Sequence, residues 1–247
     1  MISLNNITKR YGQTEVLRGV SLTVARGEVC VLLGPSGGGK STLLRTINGL
    51  ETFDDGTITV DDITLRPQPG PTRDAALSGI RRRVGMVFQQ FNLFPHRSVL
   101  ENVLEGPVHV LRRPEELARQ EARDLLTRVG LGDKCDARPG SLSGGQQQRV
   151  AIARALAMHP EAILFDEPTS ALDPRMTAEV VAVMSDLASA GQTMIVVTHG
   201  MGFARTVGRQ VHILHAGRIA ESGPPEQIFE APREPVTKEF LAEARRT

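Results

Sequence analysis

Tryptophan is absent from this chain, tyrosine occurs once, at Tyr11, and cysteine twice, at Cys30 and Cys135. Two cysteines are too few for a disulfide framework, so a cross-linked secreted scaffold is excluded and a reducing compartment fits. Cys30 stands in an apolar run and reads as a small buried residue, whereas Cys135 reads as part of a polar loop. No apolar run reaches the roughly 18 residues of a membrane-crossing helix, and the N-terminus carries no signal-peptide apolar core. The chain is expected not to cross a membrane by itself; docking on a protein that does stays open. One-sided charge is missing too. The formal net charge is +1, so no broad field draws the chain to nucleic acid. Arg81-Arg82-Arg83 and Arg112-Arg113 are local basic clusters and read as solvated surface. Repeats and low-complexity tracts are absent. The 247 residues suffice for one large core, or for a core with a lobe.

The most informative stretch is Gly34-Pro35-Ser36-Gly37-Gly38-Gly39-Lys40-Ser41-Thr42. It fits G-x-x-x-x-G-K-[ST], the phosphate-binding loop. Val29 to Leu33 before it is a short apolar run of buried-strand type, and Lys40 to Asn48 after it has helical spacing. Strand, glycine loop and helix form the context the motif needs. Glycines let backbone N–H groups turn inward around an anion, and the helix start adds about half a positive charge. Lys40 would reach the β- and γ-phosphates, and Ser41 would offer its hydroxyl to Mg²⁺.

Around this loop the opening third is β-rich. Ile2 to Thr8 and Val20 to Val24 alternate as half-buried antiparallel strands, with a turn at Tyr11-Gly12, and Thr57 to Leu65 reads as a hairpin about Asp61-Asp62. Residues 66–80, with Pro67, Pro69, Gly70 and Pro71, are expected to be a surface excursion. Val84 to Phe88 reads as a buried strand. A helical run is expected from Val99 to Val129, with Pro114 in a helix first turn and Gly130 at a helix end. An α/β rhythm then returns: strands at Ala162 to Asp166, Thr193 to Thr198 and Val211 to His215, helices at Pro174 to Ala190 and Gly202 to Val207, and a helical tail. The expected fold class is α/β: a phosphate-loop nucleoside triphosphatase core with a mostly parallel sheet, an N-terminal antiparallel β subdomain and an inserted α-helical lobe. The expected division is one domain over 1–247, with the core in 1–91 and 151–247 and the lobe in 92–150.

Ile163-Leu164-Phe165-Asp166-Glu167 is an apolar strand ending in two carboxylates. Catalytic groups in open α/β sheets gather at strand carboxyl ends. Asp166 is expected to hold Mg²⁺, and Glu167 to take a proton from an attacking water. Leu142-Ser143-Gly144-Gly145-Gln146 leads into a helix, with Ser143 at the cap. By itself that segment is also an ordinary capped helix. As a second anion-binding helix end in one chain it suggests a two-fold dimer, in which each copy lends it to the nucleotide of the other.

The order of LSGGQ after a phosphate loop and before ILFDEP resembles the nucleotide-binding subunit of ATP-binding cassette (ABC) transporters over essentially the whole chain. The resemblance implies ATP hydrolysis in a head-to-tail homodimer that drives transport through separate membrane permease subunits, at the cytoplasmic face of the membrane. In importers it also implies an extracytoplasmic solute-binding protein, and no nucleic-acid partner. It assigns adenine stacking to Tyr11, Mg²⁺ contact and sensing of the membrane subunits to Gln89, and the trans-acting signature to Ser143, Gly144, Gly145 and Gln146. Ser170-Ala171-Leu172-Asp173 matches the loop that crosses the dimer interface, and His199 the histidine at the γ-phosphate. Taken singly, Tyr11 also reads as packing for its turn, Gln89 as a solvated residue, His199 as a surface histidine and Asp173 as a helix N-cap; the cap role is expected in any case.

Two positions depart from the family pattern. Gly38 stands where serine is common, with little effect expected. Gly200 follows His199 where glutamate is common, which removes a negative charge at a helix start and loosens the segment. The segments Val87 to His96 and Thr198 to Arg205 resemble the polar amino-acid uptake branch, and no additional C-terminal β-domain is expected. A soluble cassette ATPase serving nucleic acid or ribosomes usually brings a second cassette, a coiled coil or a basic patch, none of which is visible. A regulator without turnover is disfavoured by the presence of Glu167 and His199, and a small-molecule kinase by the signature helix.

Overall fold

The computed structural model describes residues 1–244. The chain forms two compact units, one from residues 1–81 and from 191 onward, the other from residues 82–190. The first unit opens with β1 (Ile2–Tyr11) and β2 (Thr14–Val24), joined by a tight turn that pairs Tyr11 with Thr14. Apolar residues at Ile2, Leu4 and Ile7 are buried while polar neighbours face water, the pattern of a sheet with one wet face. β3 (Val29–Leu33) is buried at every residue, as befits a strand covered on both faces. After the phosphate loop comes α1 (Lys40–Ile47). β4 (Asp55–Val60) and β5 (Ile63–Leu65) form the hairpin expected at Asp61-Asp62. These strands make an antiparallel sheet in the order β2-β1-β4-β5.

Residues 66–80 are not only a surface excursion, because α2 spans Pro71–Arg83. The prolines stop at Pro71, where a missing N–H costs nothing in a helix first turn. Leu77 and Ile80, three apart, then bury one face of it.

In the second unit β6 (Val84–Val87) leads to helices. The run expected from Val99 to Val129 is interrupted. α3 (Val99–Glu105) passes into a π-helical turn at Gly106–Val110, and Arg112 takes a φ of 57° before α4 (Glu115–Arg128). Pro107 and Pro114 account for the break, since each lacks an N–H and crowds the turn before it. α5 (Gly144–Leu156) packs with α3 and α4 on one apolar core that includes Val103, Leu126 and Val150, each worth about 1.5–3 kcal/mol when fully buried. Cys135 stands in a turn, as expected, but is buried. It lies in this core, 4% exposed, and its thiol donates to the Gly132 carbonyl. β7 (Ala162–Asp166) runs parallel to β6, and α6 (Pro174–Ser189) ends the unit.

The chain then completes the first unit with β8 (Thr193–Val197), α7 (Met201–Thr206) and β9 (Gln210–His215). β3 lies between β8 and β9 and is parallel to both. An additional strand follows, β10 (Arg218–Gly223), antiparallel to β9. Its turn residues, Ala216 and Gly217, have φ of 46° and 77°, the left-handed pair that tight hairpins use. The tail is helical, with α8 (Pro225–Glu230) and α9 (Pro235–Ala244).

Candidate functional site

The phosphate loop leaves the carboxyl end of β3 under tight steric control. Gly34 has φ 141°, and a Cβ there would lie 2.1 Å from the Leu214 carbonyl oxygen on β9. At Gly38 a Cβ would meet the carbonyl oxygens of Leu214 at 3.0 Å and Pro35 at 3.1 Å. The glycine that replaces the family's common serine therefore sits where side-chain room is scarce. Gly39, φ 96°, starts α1 without a side-chain cap, and a helix start carries N–H groups and a partial positive charge that suit an anion. Lys40 is 5% exposed, and its ammonium donates to the carbonyls of Gly34 and Pro35, both at 2.9 Å. Ser41 and Thr42 lie half-buried on the first turn.

His199 reaches the same edge. Leu32 on β3 is paired in parallel with Val197 on β8, so the phosphate loop and residues 198–200 leave the sheet side by side. His199 and Gly200 are exposed. Gly200 opens α7 with no side-chain cap, and its N–H donates to Thr198 Oγ1 at 2.9 Å instead.

Tyr11, at the end of β1, also belongs to this unit and is 47% exposed. Its hydroxyl hydrogen-bonds with Glu51 and with Thr42 of the phosphate-loop motif. Burial first, and donation to Glu51 second, push the phenol above its usual range. For Glu51 burial works the other way, but hydrogen bonds from Tyr11, Lys9 and the Thr52 amide outweigh it and hold the carboxyl below its usual range.

In the second unit the pairing of Val87 with Phe165 brings Gln89 and the Asp166-Glu167 pair to one sheet edge. Asp166 is 2% exposed, Glu167 half-buried and Gln89 exposed. Glu167 takes φ 49°, a left-handed conformation that costs a residue with a Cβ of order 1–2 kcal/mol. Such outliers cluster at functional sites.

Ser143 caps α5 reciprocally with Gln146: the Gln146 N–H donates to Ser143 Oγ at 3.3 Å and the Ser143 N–H to Gln146 Oε1 at 2.9 Å. Asp173 caps α6 by accepting from the Met176 N–H at 2.9 Å. The two helix starts pack together, and this explains the glycine pair. A Cβ on Gly144 would lie 2.9 Å from Leu172 Cδ2, and one on Gly145 2.9 Å from Met176 Cβ. The signature segment and the Ser170–Asp173 loop thus form one packed element.

Residues not singled out by sequence hold the segment on both sides of Gln89. On α5, Gln148 donates to the Phe88 carbonyl, and Arg154 to those of Phe91 at 3.1 Å and Asn92 at 2.7 Å. On α3, Asn102 is fully buried, accepts from the Phe94 N–H at 2.7 Å and donates to the carbonyl of Ser98 at 2.9 Å. A sequence signal existed for this region in Ser98-x-x-Glu101, a capping-box pattern, and that box is formed. Nothing in composition or spacing marked Asn102, Gln148 or Arg154.

A glycine loop opening a helix after a buried parallel strand, with its lysine and its Ser-Thr pair in place, defines a phosphate-loop ATPase. The ABC transporter family matches residues 17–170. The arginine transport ATP-binding protein ArgV of Corynebacterium glutamicum is 52% identical, over 98% of this chain and 97% of that protein. The glutamate/aspartate import ATP-binding protein GltL of Escherichia coli is also 52% identical, over 98% of each. Among solved structures, the dimeric post-hydrolysis state of the ATP-binding cassette MJ0796 bound to ADP and Pi superposes with a TM-score of 0.80 at 37% identity, over 91% of this chain and 99% of that one. The chain belongs to the ABC transporter family and is its ATP-binding, ATP-hydrolysing component. Among the described residues no helix is long and apolar enough to cross a membrane.

Proposed function

We propose that this chain energises uptake of a polar amino acid or a similar small solute, working as a homodimer on the cytoplasmic face of the membrane beside separate permease subunits that receive solute from an extracytoplasmic binding protein. The observation that carries this reading is the presence of two glycine-led helix starts in one chain. One follows the phosphate loop with its buried Lys40, and the other is the capped signature start at Ser143. A single nucleotide needs only the first. In a two-fold pair the second closes over the nucleotide of the neighbouring copy, with Ser143, Gly144, Gly145 and Gln146 at its phosphates and Asp173 at the crossing.

Within one copy, Tyr11 takes the adenine, the backbone of residues 34–39 the phosphates, and Lys40 the β- and γ-oxygens. Mg²⁺ suits the donors assigned to it. The Ser41 hydroxyl, the Asp166 carboxylate and the Gln89 amide oxygen are hard oxygen ligands of the kind it accepts beside phosphates and water. Bound with the nucleotide, it would neutralise phosphate charge. Glu167 accepts a proton as the water oxygen bonds to the γ-phosphorus, and the bond to the bridging oxygen of ADP breaks. His199 donates a hydrogen bond to the γ-phosphate. The loop holding Gln89 carries the state of the nucleotide to the permease.

The solute class follows the relatives, not any residue of this chain. Two relatives of equal identity are named for arginine and for glutamate and aspartate, which carry opposite charges. The solute's charge is therefore set in the partner subunits. The test of the chemistry is Glu167→Gln in a phosphate-release assay with ATP and Mg²⁺. Turnover should fall by about 100-fold or more while ATP binding persists. A native rate in that variant overturns the assignment of Glu167.

A further inference from the structure

Lys9 has no role in the motifs above, yet it is one of the few buried cations, 6% exposed. Its ammonium donates to Thr52 Oγ1 at 2.5 Å and pairs with Glu51 at 3.0 Å. It also lies over the Tyr11 ring, 4.8 Å from the centroid. Glu51 in turn accepts from the Tyr11 hydroxyl, whose oxygen also engages Thr42. One face and the polar tip of the ring are thus held, and the residue remains half exposed. The segment that supplies Glu51 and Thr52 is itself fastened. The Glu51 N–H donates to the Arg45 carbonyl on α1 at 3.1 Å, the Asp54 N–H to the Thr8 carbonyl on β1 at 2.8 Å, and the Arg10 N–H to the Asp54 carboxylate at 2.6 Å. The exit of the phosphate-loop helix is therefore bolted to the end of the strand that carries Tyr11.

We propose that Lys9, braced by Glu51 and Thr52, is a positioning residue for the purine base of the nucleotide: it fixes the Tyr11 ring from behind and leaves a single face for stacking. The proposal rests on the reading that Tyr11 takes adenine. A cation on one ring face draws π density toward itself, and the electron-poorer opposite face stacks better on an electron-rich purine. Rigid placement also spares the base the entropy of ordering a free side chain. Lys9 touches no phosphate in this scheme, so its influence reaches the base and not the triphosphate.

The chain is well suited to a direct test, because Tyr11 is the only tyrosine and tryptophan is absent. All tyrosine emission reports on this one ring. Binding of MgATP and of magnesium tripolyphosphate, which has no base, is measured on the full-length chain and on K9M, K9R and Y11A by calorimetry. Quenching of tyrosine emission by ATP is followed in the variants that keep Tyr11. K9M should weaken ATP by about fivefold, leave tripolyphosphate unchanged and reduce the quenching. K9R should recover most of the loss. In turnover, KM should rise with kcat unchanged, the mark of lost ground-state binding. Y11A should weaken ATP on the order of tenfold. Unchanged ATP affinity in K9M overturns the proposal, and so does an equal loss of ATP and tripolyphosphate, which would mean general damage to the fold. If Y11A itself binds ATP normally, the adenine-stacking reading fails before Lys9 is in question.

Discussion

Gly34 and Gly37 both belong to the phosphate loop and both have left-handed φ, of 141° and 76°, but their surroundings differ. A Cβ at Gly37 would meet nothing within 4 Å, whereas one at Gly34 would lie 2.1 Å from the Leu214 oxygen, 3.0 Å from its carbon and 3.3 Å from its nitrogen. All three are backbone atoms of β9, whose Ile213 is paired with Leu33 on β3, so they cannot rotate away. Gly37→Ala therefore pays only the backbone penalty, about 1 kcal/mol. Gly34→Ala adds a clash that only displacement of β9 or of the loop relieves, at a further 2 kcal/mol or more, roughly the scale of core overpacking. For a chain of this size about 1 kcal/mol moves Tm by roughly 2–4 °C. Thermal unfolding should place Gly34→Ala about 6 °C or more below the native protein and Gly37→Ala within about 4 °C. MgATP affinity should fall far more for Gly34→Ala, because its loop must shift. Equal Tm losses in the two variants would show that φ alone, and not the close approach of β9, requires glycine at 34.

His212 on β9 is buried beside Ser222 Oγ, and burial pushes its pKa down from 6.5 to about 4. The unfolded chain thus binds the proton more readily. Stability is fully present above the unfolded value of 6.5 and declines as pH falls toward 4, by about 3 kcal/mol at the low end. Urea unfolding across that window should show this limb, and His212→Gln should flatten it; an unchanged limb in the variant would assign the effect elsewhere. Arg154→Met removes the two bonds to Phe91 and Asn92. It should lower unfolding free energy by about 2 kcal/mol and speed hydrogen exchange in residues 88–94. Native exchange there would show that α5 does not hold this segment.

The parts legible in the sequence are those where one residue type has a single physical use. Glycines at the phosphate loop, Ser143 and Asp173 at helix starts, and the apolar runs at residues 29–33 and 162–165 fall in this group. The hairpin at Ala216-Gly217 was missed because alanine seldom takes positive φ. The helix at 71–83 was masked by the prolines that precede it. Cys135 does lie in a turn, but its burial comes from packing on the helical core, which local pattern does not show. The brackets at Lys9 and Arg154 are long-range side-chain contacts, separated by up to 63 residues along the chain, and local pattern carries no trace of them. Sequence likewise did not mark the φ of 49° at Glu167.

In the proposed dimer each reaction chamber joins the phosphate loop of one copy to the signature of its partner. Two inactive variants, Lys40→Ala and Ser143→Arg, are mixed at equal concentration, and phosphate release is measured. In a mixed dimer both lesions fall in one chamber and the other is intact. The mixture should therefore recover about a quarter of the native rate, since half the dimers are mixed and half their chambers work. If the mixture stays as inactive as either variant alone while mixed dimers are demonstrably formed, each copy acts on its own nucleotide and the shared chamber is wrong.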